Sequence, residues 1–180
     1  ELLDTVAELP KIMPHIEVPH QAGDDGVLRN MKREYTVEDY RRLITRVRER
    51  IPGVAIATDV IVGFPGETPE QFQKTYQLLE ELRLDVAHLA RYSVRQGTVA
   101  ARRMEDDVPE EEKWRRYRLL EELQERIAGE INTRYLGQEV PVLFEDQVKG
   151  RWRGRTPTNK LVFVESEENL RGQVVPVTVT

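Results

Sequence analysis

The sequence predicts an α/β protein in which a parallel sheet with its helices is followed by a small all-β module. The strongest sign is an apolar run from Val54 to Val62 that passes through the turn Gly63–Thr68 into a helical pattern at Pro69. Strand and helix patterns alternate on both sides of this turn, which is typical of parallel sheets with right-handed crossovers. After Gly137 apolar and polar residues alternate, as they do in half-buried strands.

The elements of the first part follow from residue type and spacing. Strands are rich in apolar and β-branched residues, whereas helices repeat apolar residues every three or four positions. Thr36, with Asp39 three residues later, marks one helix start, and Pro69 followed by Glu70 marks another. In chain order we expect a strand at 12–18, helices at 25–32 and 36–50, a strand at 54–62, a helix at 69–82 and a strand at 84–92.

The carboxyl ends of the three strands are the first candidate site. They lead into His20–Gly23, Gly63–Thr68 and Tyr92–Thr98. Parallel sheets bind ligands at this end, and glycine there lets the backbone come close to a ligand. Three strands do not close a barrel, and the first would lack a neighbour on one side. We therefore expect a fragment, with further strands before Glu1.

A long helix and the β module come next. Pro109 and three following glutamates mark the helix start, and an apolar stripe that includes Trp114 and Tyr117 extends toward Gly137. We interpret it as a connecting helix, with both aromatic residues packed into the core. The expected domains are 1–108 for the sheet and its helices, 109–137 for the connecting helix and 138–180 for the β domain.

The composition limits the possible functions. The chain has 180 residues, of which 39% are hydrophobic and 33% charged, and a net charge of −5, which is typical of a globular protein. No apolar run approaches the roughly 20 residues of a membrane span, so we expect a cytoplasmic protein. The chain has no cysteine, which excludes disulfides and cysteine-bound clusters within it. His15, His20 and His88 lack partners at ligand spacing, so no metal site is expected.

A basic segment of the β module is the candidate nucleic-acid interface. Between Gln147 and Val164 the chain has no acid, and its cationic residues are Lys149, Arg151, Arg153, Arg155 and Lys160. Alternation along a strand places the three arginines on one face and Trp152 on the other. Arginine makes bidentate contacts with phosphate, so the segment predicts RNA binding. A solvated face for the arginines is the alternative, and Trp152 either stacks on a base or is buried.

Four segments, in order, resemble one family. They are HIEVPHQAG at 15–23, DVIVGFPGET at 59–68, YSVRQGTVAA at 92–101 and GRTPTN at 154–159. Over essentially its whole length the chain resembles the radical S-adenosylmethionine methylthiotransferases, and among them the branch that modifies a dimethylallyl-adenosine of tRNA. Val94, Gln96 and the stretch Ala22-Gly23-Asp24 depart from the residues that are commoner in this family.

The resemblance implies the carboxyl-terminal part of a partial (β/α) barrel of the radical S-adenosylmethionine type, followed by a TRAM domain, an OB-like β barrel that binds RNA. It also implies S-adenosylmethionine and two [4Fe–4S] clusters as cofactors, tRNA as a partner, and an electron donor for the clusters. Because the cluster cysteines are missing, we expect this chain alone to be inactive and to contain no catalytic residue.

By motif position, the resemblance places the cofactor contacts at the strand ends. They are Gln21, Asp59, Gly63, Tyr92 and Ser93. The amide of Gln21 suits hydroxyl groups, and the bare backbone of Gly63 lets an adenine approach. Asp59 lies within an apolar strand, so we expect its carboxylate to face a cavity. The alternatives are a turn-satisfying amide for Gln21 and a packing role for Tyr92.

Two other functions remain open. In one, the chain is an RNA-binding module on an inert α/β support. In the other, the chemistry is kept and the substrate is a threonylcarbamoyl-adenosine of tRNA or an aspartate of a ribosomal protein. Cysteines encoded before Glu1 would distinguish the enzyme from the binding module, and assays with each substrate would distinguish the enzymes.

Overall fold

A computed structural model describes residues 2–180, so Glu1, the first residue of the expected 1–108 domain, lies outside the described residues. It confirms the α/β fold, with a parallel three-stranded sheet (sheet A) and an antiparallel four-stranded sheet (sheet B). Sheet A and the helices comprise α1 (Leu2–Glu8), β1 (His15–Glu17), α2 (Asp25–Asn30), α3 (Val37–Arg50), β2 (Ala55–Val62), α4 (Pro69–Leu82), β3 (Val86–Arg91), α5 (Val99–Arg103) and α6 (Glu110–Asn132). Sheet B comprises β4 (Glu139–Val148), β5 (Arg151–Arg155), β6 (Leu161–Val164) and β7 (Val174–Thr178).

Strand β2 is the centre of sheet A, with β1 on one side and β3 on the other. It runs parallel to β3, and the register pairs Ala57 with Val86 and Val62 with Arg91. Most of β2 is buried, as its nearly continuous apolar sequence predicts, but Asp59 and Ile61 are only half-buried. These two residues share one face of the strand, so that face is the more open one.

Two helix starts carry reciprocal caps, of which the one before α3 was predicted. Before α4, Oγ1 of Thr68 accepts from the Gln71 backbone amide, and the Thr68 amide donates to Oε1 of Gln71. Helix α4 has the predicted bounds of 69–82. Thr36 and Asp39 bond in the same reciprocal way before α3. The edge strands are shorter than predicted, at 15–17 and 86–91. Helix α5 was not predicted, and Thr98 caps it by accepting from the Ala101 amide.

Sheet B curls around its own small core. Its strand order is β6-β5-β4-β7, and the buried residues are Val140, Val142, Phe144, Trp152 and Leu170. Gly154 lies where a Cβ would come within 2.6 Å of the Leu143 carbonyl oxygen, so only glycine fits there. Trp152 is 7% exposed, which makes it a core residue and excludes it as a base-stacking platform.

The chain divides into two compact units. One contains residues 1–16, 48–55 and 130–180, and the other contains 17–47 and 56–129. The boundaries expected from the sequence, after 108 and after 137, remain predictions. In the described part of the chain, no helix combines the length and the apolar character that crossing a membrane requires.

Candidate functional site

The ends of β1, β2 and β3 meet along one edge of sheet A. The Gln21 amide donates to the Asp59 carbonyl at 2.8 Å, and the Ile61 amide donates to the Gln21 carbonyl at 2.9 Å. On the other side of β2, the Tyr92 amide donates to the Val62 carbonyl at 2.8 Å. We call the segments His20–Gly23, Gly63–Thr68 and Tyr92–Thr98 the rim. Main-chain pairing therefore brings the three predicted turns together.

At the β1 end of the rim, Gln21 and His20 are buried. Gln21 has a φ of 67°, in the left-handed region that costs a non-glycine residue about 1 kcal/mol. The neighbouring His20 ring lies 5.1 Å from the Tyr40 ring, and burial lowers the pKa of His20 to about 4. Because its ordinary pKa is near 6.5, His20 is neutral at pH 7 and belongs to the packing of the rim.

A cavity of about 520 Å³ opens at the β3 end of the rim. Tyr92 and Ser93 line it, together with Ile61 and Phe64, whereas Gln21, Asp59 and Gly63 do not. The Phe64 and Tyr92 rings meet edge to face, with their centroids 5.2 Å apart. Three cationic residues also line the cavity: Lys32, Arg91 and Arg95. An apolar aromatic wall beside cationic groups suits a flat heterocycle that carries an anionic group.

The open face of sheet A carries charged side chains beside this cavity. Asp59 and His88 are register partners on β2 and β3. Asp59 is half-buried and does not line the cavity described above, so its predicted contact with a cavity stays a prediction. Nε2 of His88 lies 3.7 Å from Oε1 of Glu17 on β1. The face therefore offers carboxylate and imidazole groups that can hydrogen-bond a polar ligand.

Glu67 determines the shape of the turn after β2. Its Oε2 accepts the Gly63 amide at 2.6 Å, and its own amide donates to the Phe64 carbonyl at 2.9 Å. Gly63 and Gly66 have φ values of 70° and 79°, so both positions favour glycine. The Gly66 amide donates to Oδ1 of Asp107 at 2.7 Å. The turn is thus fixed by carboxylates that bind its backbone amides.

Arg116 of α6 completes the site around Glu67. Its Nη1 donates to Oε2 of Glu67 at 2.7 Å and to the Glu67 carbonyl at 3.0 Å, and its Nε donates to Glu112 at 2.8 Å. The side chains of Glu67 and Arg116 are 0% and 3% exposed. Burial raises the pKa of Glu67, and the Gly63 amide and Arg116 offset that effect only in part. Loss of Arg116 would leave the buried Glu67 carboxylate without its cation, whereas Arg116 would keep Glu112 if Glu67 were lost.

Lys113 is the second buried cation on this side of the turn. Its Nζ lies 2.7 Å from both carboxylate oxygens of Asp106 and 5.5 Å from the centroid of the Tyr92 ring. Its stem packs on Gly63, where an added Cβ would come within 2.3 Å of the Lys113 Cγ. Lys113 therefore contacts two of the predicted cofactor residues.

The sequence interpretation missed these cations because it placed Trp114 on the apolar stripe of the long helix. Trp114 is 40% exposed and packs under the Arg91 guanidinium, 3.6 Å from its ring centroid, so its predicted burial is wrong. The buried stripe begins with Lys113 and Arg116 and continues through Leu120, Leu123 and Ile127. Lys113 and Arg116 lie at helical spacing on the same stripe as these apolar residues, and this pattern could have indicated buried ion pairs.

The basic strand of sheet B has the predicted alternation. Arg151 and Arg155 are exposed, Arg153 is half-buried, and Trp152 between them is buried. Each arginine has an acidic neighbour that the local sequence did not reveal. Nε of Arg151 lies 3.1 Å from Glu165, Nε of Arg153 lies 2.9 Å from Asp146, and Nε of Arg155 lies 3.7 Å from Glu145. The face is therefore less positive than the sequence run suggests.

Apolar side chains surround these arginines on the same exposed face. Register pairs Arg155 with Leu143 and Leu161, and Arg153 with Phe163. Leu143, Leu161 and Phe163 are each nearly half exposed. Lys149 lies in the turn before β5 and is exposed, whereas Lys160 is half-buried. Arginines beside an exposed aromatic ring suit unpaired nucleotides, since phosphate and base can both be contacted.

Among residues 2–180, no group of three or more His, Asp or Glu side chains is placed to hold a metal ion. The chain contains no cysteine. Ligands for an iron–sulfur cluster are therefore not provided by this part of the chain.

Comparison with known proteins adds two family matches. Residues 1–79 match the Radical SAM superfamily, and residues 133–180 match the TRAM domain. Three similar proteins, all named tRNA-2-methylthio-N(6)-dimethylallyladenosine synthase, come from Herpetosiphon aurantiacus, a Roseiflexus species and Chloroflexus aurantiacus. They are 53%, 52% and 50% identical to this chain over 100%, 99% and 99% of its length. The chain spans 42%, 38% and 39% of these relatives, or about two fifths of their length.

The buried Arg116 and Glu67 pair gives a direct test of the turn. Arg116→Met should lower the free energy of unfolding by about 3–5 kcal/mol, because it leaves Glu67 buried without its cation. Arg115→Met, on the exposed side of the same helix, removes a bond to Glu112 and should cost less than about 1 kcal/mol. Urea unfolding of both variants makes the comparison. Similar losses would show that Glu67 does not depend on Arg116.

Proposed function

Because this chain belongs to the radical S-adenosylmethionine methylthiotransferase family, we propose that the protein containing it adds a methylthio group to C2 of N6-dimethylallyladenosine in tRNA. The observation that carries the proposal is similarity over the whole chain to proteins of one name, at 50–53% identity, with two domain matches in order. The names of these relatives supply the tRNA and the modified adenosine. The structure supplies the places where this chain would act.

The first place is the rim of sheet A, which would hold S-adenosylmethionine. The aromatic cavity beside Tyr92 and Ser93 fits a heterocycle such as adenine, whereas the Cβ side of Gly63 is filled by the Lys113 stem and is closed to the ligand. Gln21 and Asp59 would contact the polar parts of the cofactor from the β1 and β2 ends. When bound and reductively cleaved, S-adenosylmethionine supplies the radical that removes a hydrogen from the substrate.

The iron–sulfur clusters do not fit within these 180 residues, because the chain has no cysteine to bind them. In our proposal the two [4Fe–4S] clusters and the electron donor that reduces them interact with other parts of the protein. This chain binds and orients the adenosyl end of the cofactor, and its aromatic and aliphatic side chains keep water from that end. Its cellular place would be the cytoplasm, where tRNA is modified.

The second place is the exposed face of sheet B, which would bind tRNA. The residues proposed for phosphate contact are Lys149, Arg151, Arg153, Arg155 and Lys160. Each arginine has an acidic neighbour, so RNA phosphate would replace a carboxylate rather than meet a bare cation. Such an exchange gives modest affinity for each contact and keeps the guanidinium groups oriented in the absence of RNA.

An RNA-binding module without chemistry is the second candidate, and the absence of cysteine favours it for the chain in isolation. The two candidates differ in what the full-length protein does. An enzyme would bind S-adenosylmethionine and change the tRNA, whereas a module would only bind tRNA.

A product assay tests the function. The full-length protein, with clusters reconstituted without oxygen, should convert N6-dimethylallyladenosine in tRNA to its 2-methylthio form, detected by mass spectrometry of the nucleosides. Unmodified tRNA should give no product, which is the control for substrate choice. Product with a threonylcarbamoyl-adenosine tRNA or a ribosomal protein alone would overturn the proposed substrate. tRNA binding without any product would favour the module.

A salt titration tests the RNA interface. Replacing Arg151, Arg153 and Arg155 with Ala should weaken tRNA binding and make the slope of log K against log salt shallower by about 2 to 3, roughly one for each lost phosphate contact. The matched control replaces Arg33, Arg42 and Arg46, which lie in the other unit and are also exposed. The control has the same charge change and should have little effect.

A single variant sharpens the same test. Asp146→Asn removes the carboxylate that binds Arg153 in a bidentate way, so tRNA affinity should rise. Equal effects of the two triple variants, or no effect of either, would exclude the basic strand as the interface.

A further inference from the structure

The geometry points to Lys113 as a positioning residue that fixes the orientation of the Tyr92 ring relative to the turn at Gly63. This inference rests on the proposed function, in which the rim receives the adenosyl part of S-adenosylmethionine. Lys113 belongs to α6, outside the strands and turns of the rim. It acts through Gly63 and Tyr92 and makes no contact with the reacting atoms.

The first step of the argument is the burial of Lys113. Its side chain is 3% exposed, although lysine usually keeps its ammonium group in water. A buried ion pair often adds no net stability compared with an apolar residue of similar size. The stability of the core therefore does not explain a lysine at this position of the helix, because an aliphatic residue would stabilise the core equally well.

The second step is the contact with β2. Gly63 is the first residue after β2, and the Lys113 stem occupies the space where a side chain at residue 63 would lie. The distance of 2.3 Å between an added Cβ and the Lys113 Cγ shows that residue 63 has to be glycine while the Lys113 stem lies there. The stem therefore forms the support behind the bare backbone of Gly63.

The third step is the contact with β3. The Lys113 ammonium lies 5.5 Å from the Tyr92 ring centroid, within the range of a cation–π interaction. Asp106 holds the ammonium with both oxygens at 2.7 Å, and Glu110 lies 3.8 Å away. Because the ammonium is fixed, the attraction fixes the Tyr92 ring, which also packs on Phe64.

One side chain thus joins the ends of β2 and β3 on the side of the rim that α6 covers. Arg116 holds the same turn through Glu67, and its hydrogen bonds go to Glu67 and Glu112. The two cations therefore have separable roles. Arg116 maintains the turn itself, whereas Lys113 orients the Tyr92 ring relative to the turn.

The test compares Lys113→Met with wild type in the full-length protein with reconstituted clusters. Methionine keeps the length of the stem and removes the charge. We expect the Kd for S-adenosylmethionine, measured by equilibrium dialysis, to rise about 5- to 10-fold, the effect of losing one desolvated cation–π contact. The melting temperature should change little, because Asp106 is 30% exposed and water can solvate its carboxylate when the lysine is removed. Lys113→Arg, which keeps a cation for Asp106 and Tyr92, should recover most of the affinity.

Leu120→Ala is the matched control, since Leu120 is fully buried on the same stripe of α6. It should lower the melting temperature and leave the Kd unchanged. The positioning role would be overturned if Lys113→Met bound S-adenosylmethionine as tightly as wild type. It would also be overturned if Lys113→Met and Leu120→Ala both lost affinity in proportion to their loss of stability. If wild type itself fails to bind S-adenosylmethionine, the proposed function is wrong and the ligand role of Lys113 is excluded with it.

Discussion

The carboxylate of Glu67, buried at the end of β2, is the feature on which the rim of sheet A depends. One of its oxygens accepts both the Gly63 amide and the Arg116 guanidinium, so a single atom links a strand end to a helix 49 residues further along the chain. In water each of these groups would be solvated separately. In the interior Oε2 of Glu67 pairs with both groups, whereas Oε1 is buried without a hydrogen-bond partner among the described residues. The glycine-rich turn is thus held in one shape without a side chain of its own at residue 63.

Because the turn is held from behind by α6, its other side is free to face a ligand. The neighbouring cavity is aromatic and contains cationic side chains, and the open face of β2 adds Asp59. A helix interpreted from sequence as a connector is thus part of the site, through Lys113 and Arg116. The exposed face of sheet B is built differently. Its arginines form ion pairs with carboxylates, and a phosphate would have to replace those carboxylates.

Local sequence signals predicted those elements of the fold whose position depends on residues close together in the sequence. Pro69, the acid after it and the helical spacing of apolar residues predicted the bounds of α4, and alternation placed Trp152 opposite the arginines of β5. The parts that were not predicted depend on residues distant in sequence. Glu145 and Asp146 reach the arginines only when β4 pairs with β5, and Lys113 is buried only because Gly63 leaves it space. Trp114 was misplaced because an aromatic residue was given priority over the helical spacing of two cations.

Hydrogen exchange of the full-length protein, followed by mass spectrometry with either ligand added, tests the division of roles most directly. Our account predicts that S-adenosylmethionine slows exchange in peptides covering residues 61–68 and 91–100 and has no effect on 149–165. tRNA should protect 149–165. If S-adenosylmethionine binds measurably but slows exchange in neither rim segment, the claim that the turn held by Glu67 is the adenosyl site is contradicted.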